Sequence, residues 1–197
     1  IADVGKSLTM KVTAPLAAVG GAAFKASTDF ETAFAGVKKT VDGTETDFAN
    51  LETGIRNMAK QMPQSATEIA GVAEQAGNLG IQTENILSFT DTMVKMGSAT
   101  DMSSEQAATS LAKLSSITGM SQQDFDKLGS SLVDLGNNFA PTESEIVNMT
   151  LRLAGASHQV GMTEADMLGM ATAMGQVGLN AEAGGSSMSR VMQKINT

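Results

Sequence analysis

The chain has 197 residues, a net charge of −8, no cysteine and a single histidine. The missing cysteines exclude disulfides and thiolate chemistry. The negative charge argues against specific nucleic-acid binding, because phosphate is bound by Lys and Arg. A chain of this length can bury a core without stabilisation by disulfides or metals. None of its apolar runs reaches the roughly 18 residues of a membrane span.

The first predicted helices lie within residues 1–62. Thr13-Ala14-Pro15 is typical of a helix start, since proline is tolerated in the first turn. Apolar residues recur at helical spacing from Phe30 to Val41 and again from Phe48 to Met62. Asp42-Gly43-Thr44 indicates a break, so we expect a helical hairpin here. One long coiled-coil helix is the alternative, because both runs share a heptad register.

Residues 63–197 are predicted to form a multi-helix module that packs as one unit. Ser or Thr recurs every 18 to 21 residues as a candidate N-cap. The seven candidates are Thr44, Ser65, Thr83, Ser103, Ser121, Thr142 and Thr163. All except Thr83 are followed three residues later by a side chain that can complete a capping box. Gly119, Gly161 and Gly178 are predicted to end helices in the left-handed conformation.

Each predicted helix carries one apolar stripe at helical period, and the last stripe is Met188, Val191 and Ile195. No segment alternates as a strand should. We therefore expect an all-α fold, an irregular bundle of about eight to nine short antiparallel helices. A superhelix of helical repeats is the alternative, because a spacing near 20 residues suggests two-helix repeats.

No catalytic, cofactor-binding or metal-binding residue is predicted, and we do not expect an enzyme. His158 lies near a helix end, where a cation interacts favourably with the terminal carbonyls. Ala183-Gly184-Gly185-Ser186 could bind an anion at a helix start, but such a run is more typical of a flexible turn. The pairs Glu143/Glu145 and Glu164/Asp166 complement the helix dipole in first turns, and burial at such positions is not expected.

Small residues at Ala18, Ala22 and Ala26, with Gly20 and Gly21 beside them, predict a face that allows close helix approach. This face suits either packing within the chain or an oligomer contact. The fourteen methionines suit either core filling or a groove for partner helices.

Four segments in order carry a family resemblance. Thr28-Asp29-Phe30-Glu31 is followed by Pro63–Glu68, then Ala76–Ile81, and finally Met174–Asn180 with Ala183-Gly184. Together they resemble the core region of TP901-type phage tail tape measure proteins, over roughly residues 10–197.

The resemblance implies a structural virion protein that sets tail length during assembly and occupies the tail lumen during genome delivery. It implies tail tube and baseplate or tail-tip proteins as partners, and membrane contact at genome delivery. We also expect the chain to self-associate into an oligomer. It also implies a location in the virion tail and, during assembly, in the cytoplasm of the bacterial host.

A ruler shaft requires uninterrupted heptads, whereas the caps and glycine stops here fold the chain back. We therefore expect a compact or refoldable module of a longer protein. A helical interaction scaffold unrelated to phage and a membrane-active helical segment are the alternatives.

Overall fold

The computed structural model describes the backbone of residues 14–195 and the side chains of residues 25–194. Within that range the chain forms nine α-helices and no strand, so the predicted all-α bundle is confirmed. The helices are α1 (Ala14–Thr40), α2 (Glu45–Met58), α3 (Ala66–Asn78), α4 (Ile86–Ala99), α5 (Ser104–Thr118), α6 (Phe125–Asn138), α7 (Glu143–Gln159), α8 (Glu164–Gln176) and α9 (Ala181–Ile195). The predicted cap Thr13 lies outside the described residues.

Five helices begin with the capping boxes that the sequence predicts. In each box the N-cap hydroxyl accepts from the N3 amide, while the N3 side chain accepts from the N-cap amide. The pairs are Thr44/Asp47, Ser65/Glu68, Ser103/Gln106, Thr142/Glu145 and Thr163/Asp166. Each box satisfies backbone groups that a helix start would otherwise leave unpaired.

The predicted box of Ser121 and Asp124 does not form. Ser121 instead begins a short 3-10 turn, Gln122–Asp124, and its hydroxyl accepts from the Gln123 amide. This turn delays the start of α6 until Phe125, and the Asp124 carboxylate accepts from Lys127 Nζ at 2.7 Å. Thr83 lies in a similar turn before α4, and its hydroxyl donates to the Asp42 carbonyl.

The predicted glycine stops are confirmed after α5, α7 and α8. Gly119, Gly161 and Gly178 have φ angles of 71°, 79° and 77°, a region that is crowded for residues with a Cβ. Gly80 has the same conformation after α3, and this fourth stop was not predicted.

The helices pack in two layers. Odd-numbered helices contact the next odd-numbered helix, from α1 to α9, and even-numbered helices do the same from α2 to α8. Contacts such as α3–α4 and α7–α8 join the layers. In the part of the chain that the structure describes, every substantial helix contact joins helices one or two places apart. The bundle is therefore a stacked array, built mostly from elements that are close in the chain.

The two predicted N-terminal helices separate at the expected place, since α1 ends at Thr40 and α2 begins at Glu45. The main partner of α1 is α3, and α1 and α2 do not pack closely against each other as the predicted hairpin. This contact joins the region 1–62 to the region 63–197, and their division into separate units stays a prediction.

One continuous apolar core runs between the layers, and the predicted stripes supply most of it. Their last members are the exception in three helices, because Ile117 in α5, Phe139 after α6 and Val177 after α8 are exposed. Phe89 of α4 and Phe125 of α6 meet edge to face at a ring distance of 4.7 Å, a favourable aromatic geometry. Of the thirteen methionines whose side chains the structure describes, seven are buried: Met93, Met96, Met102, Met149, Met167, Met174 and Met192. Core filling is therefore the role of these seven.

The predicted stripe of α9 is wrong at Val191. This side chain is 50% exposed, whereas Met192 is only 4% exposed. The buried face of α9 instead contains Gly184, Gly185 and Met192, with Met188 half-buried. The side chain of Ile195 lies outside the described residues.

Candidate interaction surface

His158 lies in the last turn of α7, as predicted, and its side chain is exposed. Within the described residues, no group of three or more His, Asp or Glu side chains could hold a metal ion. None of the described helices is long and apolar enough to cross a membrane.

The segment Ala183–Ser186 is not the flexible turn that the sequence suggests, because it lies inside α9. Asn180 precedes the helix, and its Oδ1 accepts from the Ala183 amide at 2.9 Å. A Cβ at Gly185 would lie 2.8 Å from Arg152 Cβ of α7. The two buried glycines therefore allow α9 to pack closely against α7.

The acidic side chains in the first turns of α7 and α8 differ in their contacts and in their burial. Glu145 and Asp166 accept from the amides of Thr142 and Thr163 in capping boxes, each at 3.0 Å. Glu143 is only 8% exposed, and its carboxylate lies against Gly136 of α6. The expectation that these positions lack burial is therefore wrong for Glu143.

The small face predicted on α1 is described only at Ala26, which is exposed. The side chains of Ala18 and Ala22 lie outside the described residues. Whether this face serves packing within the chain or an oligomer contact stays a prediction.

Hydrogen bonds in three of the capping boxes lower the pKa of the N3 carboxyl group. The Thr44 amide and then its hydroxyl lower the pKa of Asp47, and Ser65 acts on Glu68 in the same order. For Asp166 the Thr163 hydroxyl lowers the pKa most. Hydrogen bonding to the Asp124 carboxylate raises the pKa of Lys127. These shifts favour the charged forms of the four side chains.

Charge is divided unequally between the two layers. The even-numbered helices carry eight acidic and three basic side chains, whereas the odd-numbered helices carry eight and seven. The acidic side chains of the even-numbered helices are Glu45, Asp47, Glu52, Asp91, Asp126, Asp134, Glu164 and Asp166, and the basic ones are Arg56, Lys95 and Lys127. None of these eleven side chains is buried.

We call the outer surface of α2, α4, α6 and α8 the even face. Three grooves follow one another on it, and each contains two carboxylates. The carboxylates are Asp47 and Glu84 between α2 and α4, Asp126 and Asp134 between α4 and α6, and Asp124 and Glu164 between α6 and α8. The even face is the candidate interaction surface, and no motif in the sequence marks it.

The odd-numbered layer has a groove of a different kind. A cleft of about 360 Å³ there is lined by Leu79, Ala112, Lys113, Ser116, Ile117 and Leu151. It contains no carboxylate. This cleft therefore differs in chemistry from the three grooves of the even face.

Comparison with known proteins gives a family for the chain. A family model described as "Phage-related minor tail protein" matches residues 52–197, from within α2 through the last helix. No curated protein and no solved structure shows significant similarity to the chain.

Proposed function

The chain belongs to the family of phage-related minor tail proteins, and we propose that it is a structural, non-catalytic segment of a tail tape measure protein. The observation that carries this proposal is the family match over residues 52–197, since it covers most of the chain. The four segments that resemble the tape measure core region support the finer assignment.

Three of those segments lie at connections between successive helices. Pro63–Glu68 contains the connection from α2 to α3 and the capping box of α3. Ala76–Ile81 includes the end of α3 and its left-handed glycine, while Met174–Asn180 includes the end of α8 and Asn180, which caps α9. Side chains at such positions determine where the chain reverses, which gives a physical reason for motifs there.

The fold favours a compact module over a ruler shaft. A single helix of residues 14–195 would be about 270 Å long at 1.5 Å per residue. The longest helix here, α1, has 27 residues and a length of about 40 Å. We propose that this module anchors the ruler to other tail proteins, while length is measured by other parts of the parent protein.

We further propose that the module contacts tail tube and baseplate or tail-tip proteins, self-associates, and is assembled into the virion tail in the host cytoplasm. Membrane contact at genome delivery belongs to the same proposal. The acidic even face supports the absence of specific nucleic-acid binding, because phosphate and carboxylate repel each other.

Deletion in the parent particle tests the role. Residues 63–195 are removed in frame, and tails are counted and measured by negative-stain electron microscopy. An anchoring module predicts that tails are absent, or that tubes form with uncontrolled length. A capping variant, Thr163→Ala, is the matched control and should leave normal tails. Tails of normal number and length after the deletion would refute the proposal.

The tail length after the deletion distinguishes an anchoring role from a role as part of the ruler shaft. If the tails become shorter by about 1.5 Å for each deleted residue, the segment is part of the ruler and the anchoring role is wrong. Mass spectrometry of purified particles provides a second check, because peptides from residues 25–194 must be present in the virion.

A further inference from the structure

The groove between α4 and α6 has an apolar floor. Its volume is about 330 Å³, and Met96, Gly129 and Val133 are among the residues that line it. A Cβ at Gly129 would lie 3.0 Å from Met96 Sδ and 3.1 Å from Thr92 Cγ2. The two helices therefore approach closely beneath the groove, and the opening above them has room for small apolar side chains.

The α6 side of this groove is acidic. Asp126, Ser130 and Asp134 are exposed and follow each other at intervals of four residues. The two carboxylates are therefore about 12 Å apart along the helix. Neither forms an ion pair with a side chain that the structure describes. The Asp134 carboxylate accepts from Asn138 Nδ2 at 3.0 Å, and the Asp134 carbonyl accepts from the same nitrogen at 2.8 Å.

The α4 side carries one cation that is already engaged. Lys95 lines the groove, and its Nζ lies 2.6 Å from Asp91 Oδ2. The neighbouring grooves add Glu84 on one side and Glu164 on the other. A cationic partner is therefore attracted both by the groove and by the layer around it.

We propose that the α4–α6 groove docks a basic amphipathic helix of a partner protein. Such a helix can place apolar residues on the floor and a Lys or Arg against each of Asp126 and Asp134, a common mode of helix recognition. Anionic lipid and nucleic acid are disfavoured by the same charges. The inference goes beyond the proposed tail role, since it depends on the groove and not on the family.

Binding of a synthetic peptide to the full chain tests this proposal. The probe is a fluorescent helical peptide of about four turns with two Lys residues at the spacing of Asp126 and Asp134, and with Leu between them. A peptide with Glu in place of both Lys residues controls for charge, and one with Ser in place of Leu controls for the apolar contact. We expect only the Lys/Leu peptide to raise the anisotropy.

Matched charge variants of the chain locate the site. Asp126→Asn with Asp134→Asn removes the rim carboxylates, and we expect about tenfold weaker binding from the loss of two ion pairs. Glu31→Gln with Glu182→Gln makes the same charge change on α1 and α9 and should change binding by about twofold or less. Equal weakening by both pairs would mean non-specific attraction and would overturn the proposal.

Two further measurements test whether a loss of binding is due to unfolding and whether the peptide binds at this groove. Ser130→Lys places a cation at an exposed position in the groove and should abolish binding while the helical circular dichroism is unchanged. Methyl NMR should show a shift at Met96, beneath the groove, and none at Met192 of α9. Lack of any binding, a shift only at Met192, or self-association of the chain that the double variant disrupts would each contradict a partner helix in this groove.

Discussion

Asp101, in the connection between α4 and α5, binds the start of α7 through Ser144. Its Oδ1 accepts from the Ser144 amide at 3.0 Å, and its Oδ2 accepts from the Ser144 hydroxyl at 2.6 Å. Thr142 and Glu145 form the capping box of the same helix. A residue 43 positions away in sequence therefore supplies part of the N-terminal cap and ties two connections together.

Asp101→Ala should lower the free energy of unfolding by about 1 kcal/mol, the typical cost of a lost N-terminal cap. The Ser144 amide would lose its partner, and the α4–α5 connection would lose its link to α7. Urea denaturation followed by circular dichroism measures the change. Asp29→Ala is the control, because its ion pair with Lys25 is exposed. Loss of that pair should lower the free energy of unfolding by about 0.5 kcal/mol or less. Equal effects would contradict the proposed importance of the cap.

Stability should fall when the solution is acidified. Partial burial raises the pKa of Asp101, but hydrogen bonds from the Ser144 hydroxyl and amide, together with those from Thr142 and its own backbone, outweigh burial and lower it. The pKa values of Asp47, Glu68 and Asp166 are lowered as well. Between the folded and unfolded pKa values the unfolded chain holds more protons, so stability rises with pH there.

The thermal midpoint should therefore be constant from neutral pH to about 5 and should decrease below about 4, near the unfolded carboxyl values. Asp101→Asn should make this decrease shallower. Carbon-13 NMR titration of the Asp101 carboxyl checks the cause directly, and titration at or above its ordinary value would rule the explanation out.

Gly77→Ala should destabilise the contact between α1 and α3. A Cβ at Gly77 would lie 2.8 Å from the Thr40 carbonyl carbon and 2.6 Å from Thr40 Oγ1. Backbone cannot move as easily as the end of a side chain, so we expect a cost of about 1 kcal/mol or more.

Gly71→Ala is a matched control in the same helix, since a Cβ there has no neighbour within 4 Å. It should stabilise the protein by roughly 0.5–1 kcal/mol through helix propensity. Chemical denaturation of both variants measures the difference. Stabilisation by both substitutions would show that α1 and α3 are not closely packed at Gly77.

Met192→Ala and Val191→Ala should differ in their effect on stability. Met192 is buried and lies 3.2 Å from the Ser157 hydroxyl through its sulfur, so its truncation should cost about 2 kcal/mol. Val191 is half exposed, and its truncation should change stability by about 0.5 kcal/mol or less. Thermal melts of the two variants show which face of α9 packs on α7. A larger loss of stability for Val191→Ala than for Met192→Ala would mean that the predicted stripe with Val191 is the buried face.

The sequence alone was sufficient for the helices and most of their ends. Ser65 with Glu68 is a local signal, because a capping box involves residues within one turn. Gly119 is local in the same way, and so is the spacing of Phe125, Leu128 and Leu132 on one face of α6. The 3-10 turns after Gln82 and Ser121 were not predicted. The Thr83 hydroxyl donates to the Asp42 carbonyl in another connection, and the Ser121 hydroxyl accepts from the nearby Gln123 amide, so neither residue forms a capping box.

The candidate surface was less predictable. A net charge of −8 is visible in the composition, but its concentration on the even-numbered helices depends on which helices share a layer. The groove beside Asp126 and Asp134 depends on the close approach of Gly129 to Met96. Neither relationship has a signal in the local spacing of residues.

By itself the sequence determined the all-α class, five of the capping boxes and most of the apolar stripes, because these depend on residues within one or two turns of each other. Only the tertiary structure decided the two layers, the Asp101–Ser144 cap and the rotation of α9 that buries Met192. Those features arise from contacts between distant helices, where the shape of the neighbouring surface selects among faces of similar hydrophobicity.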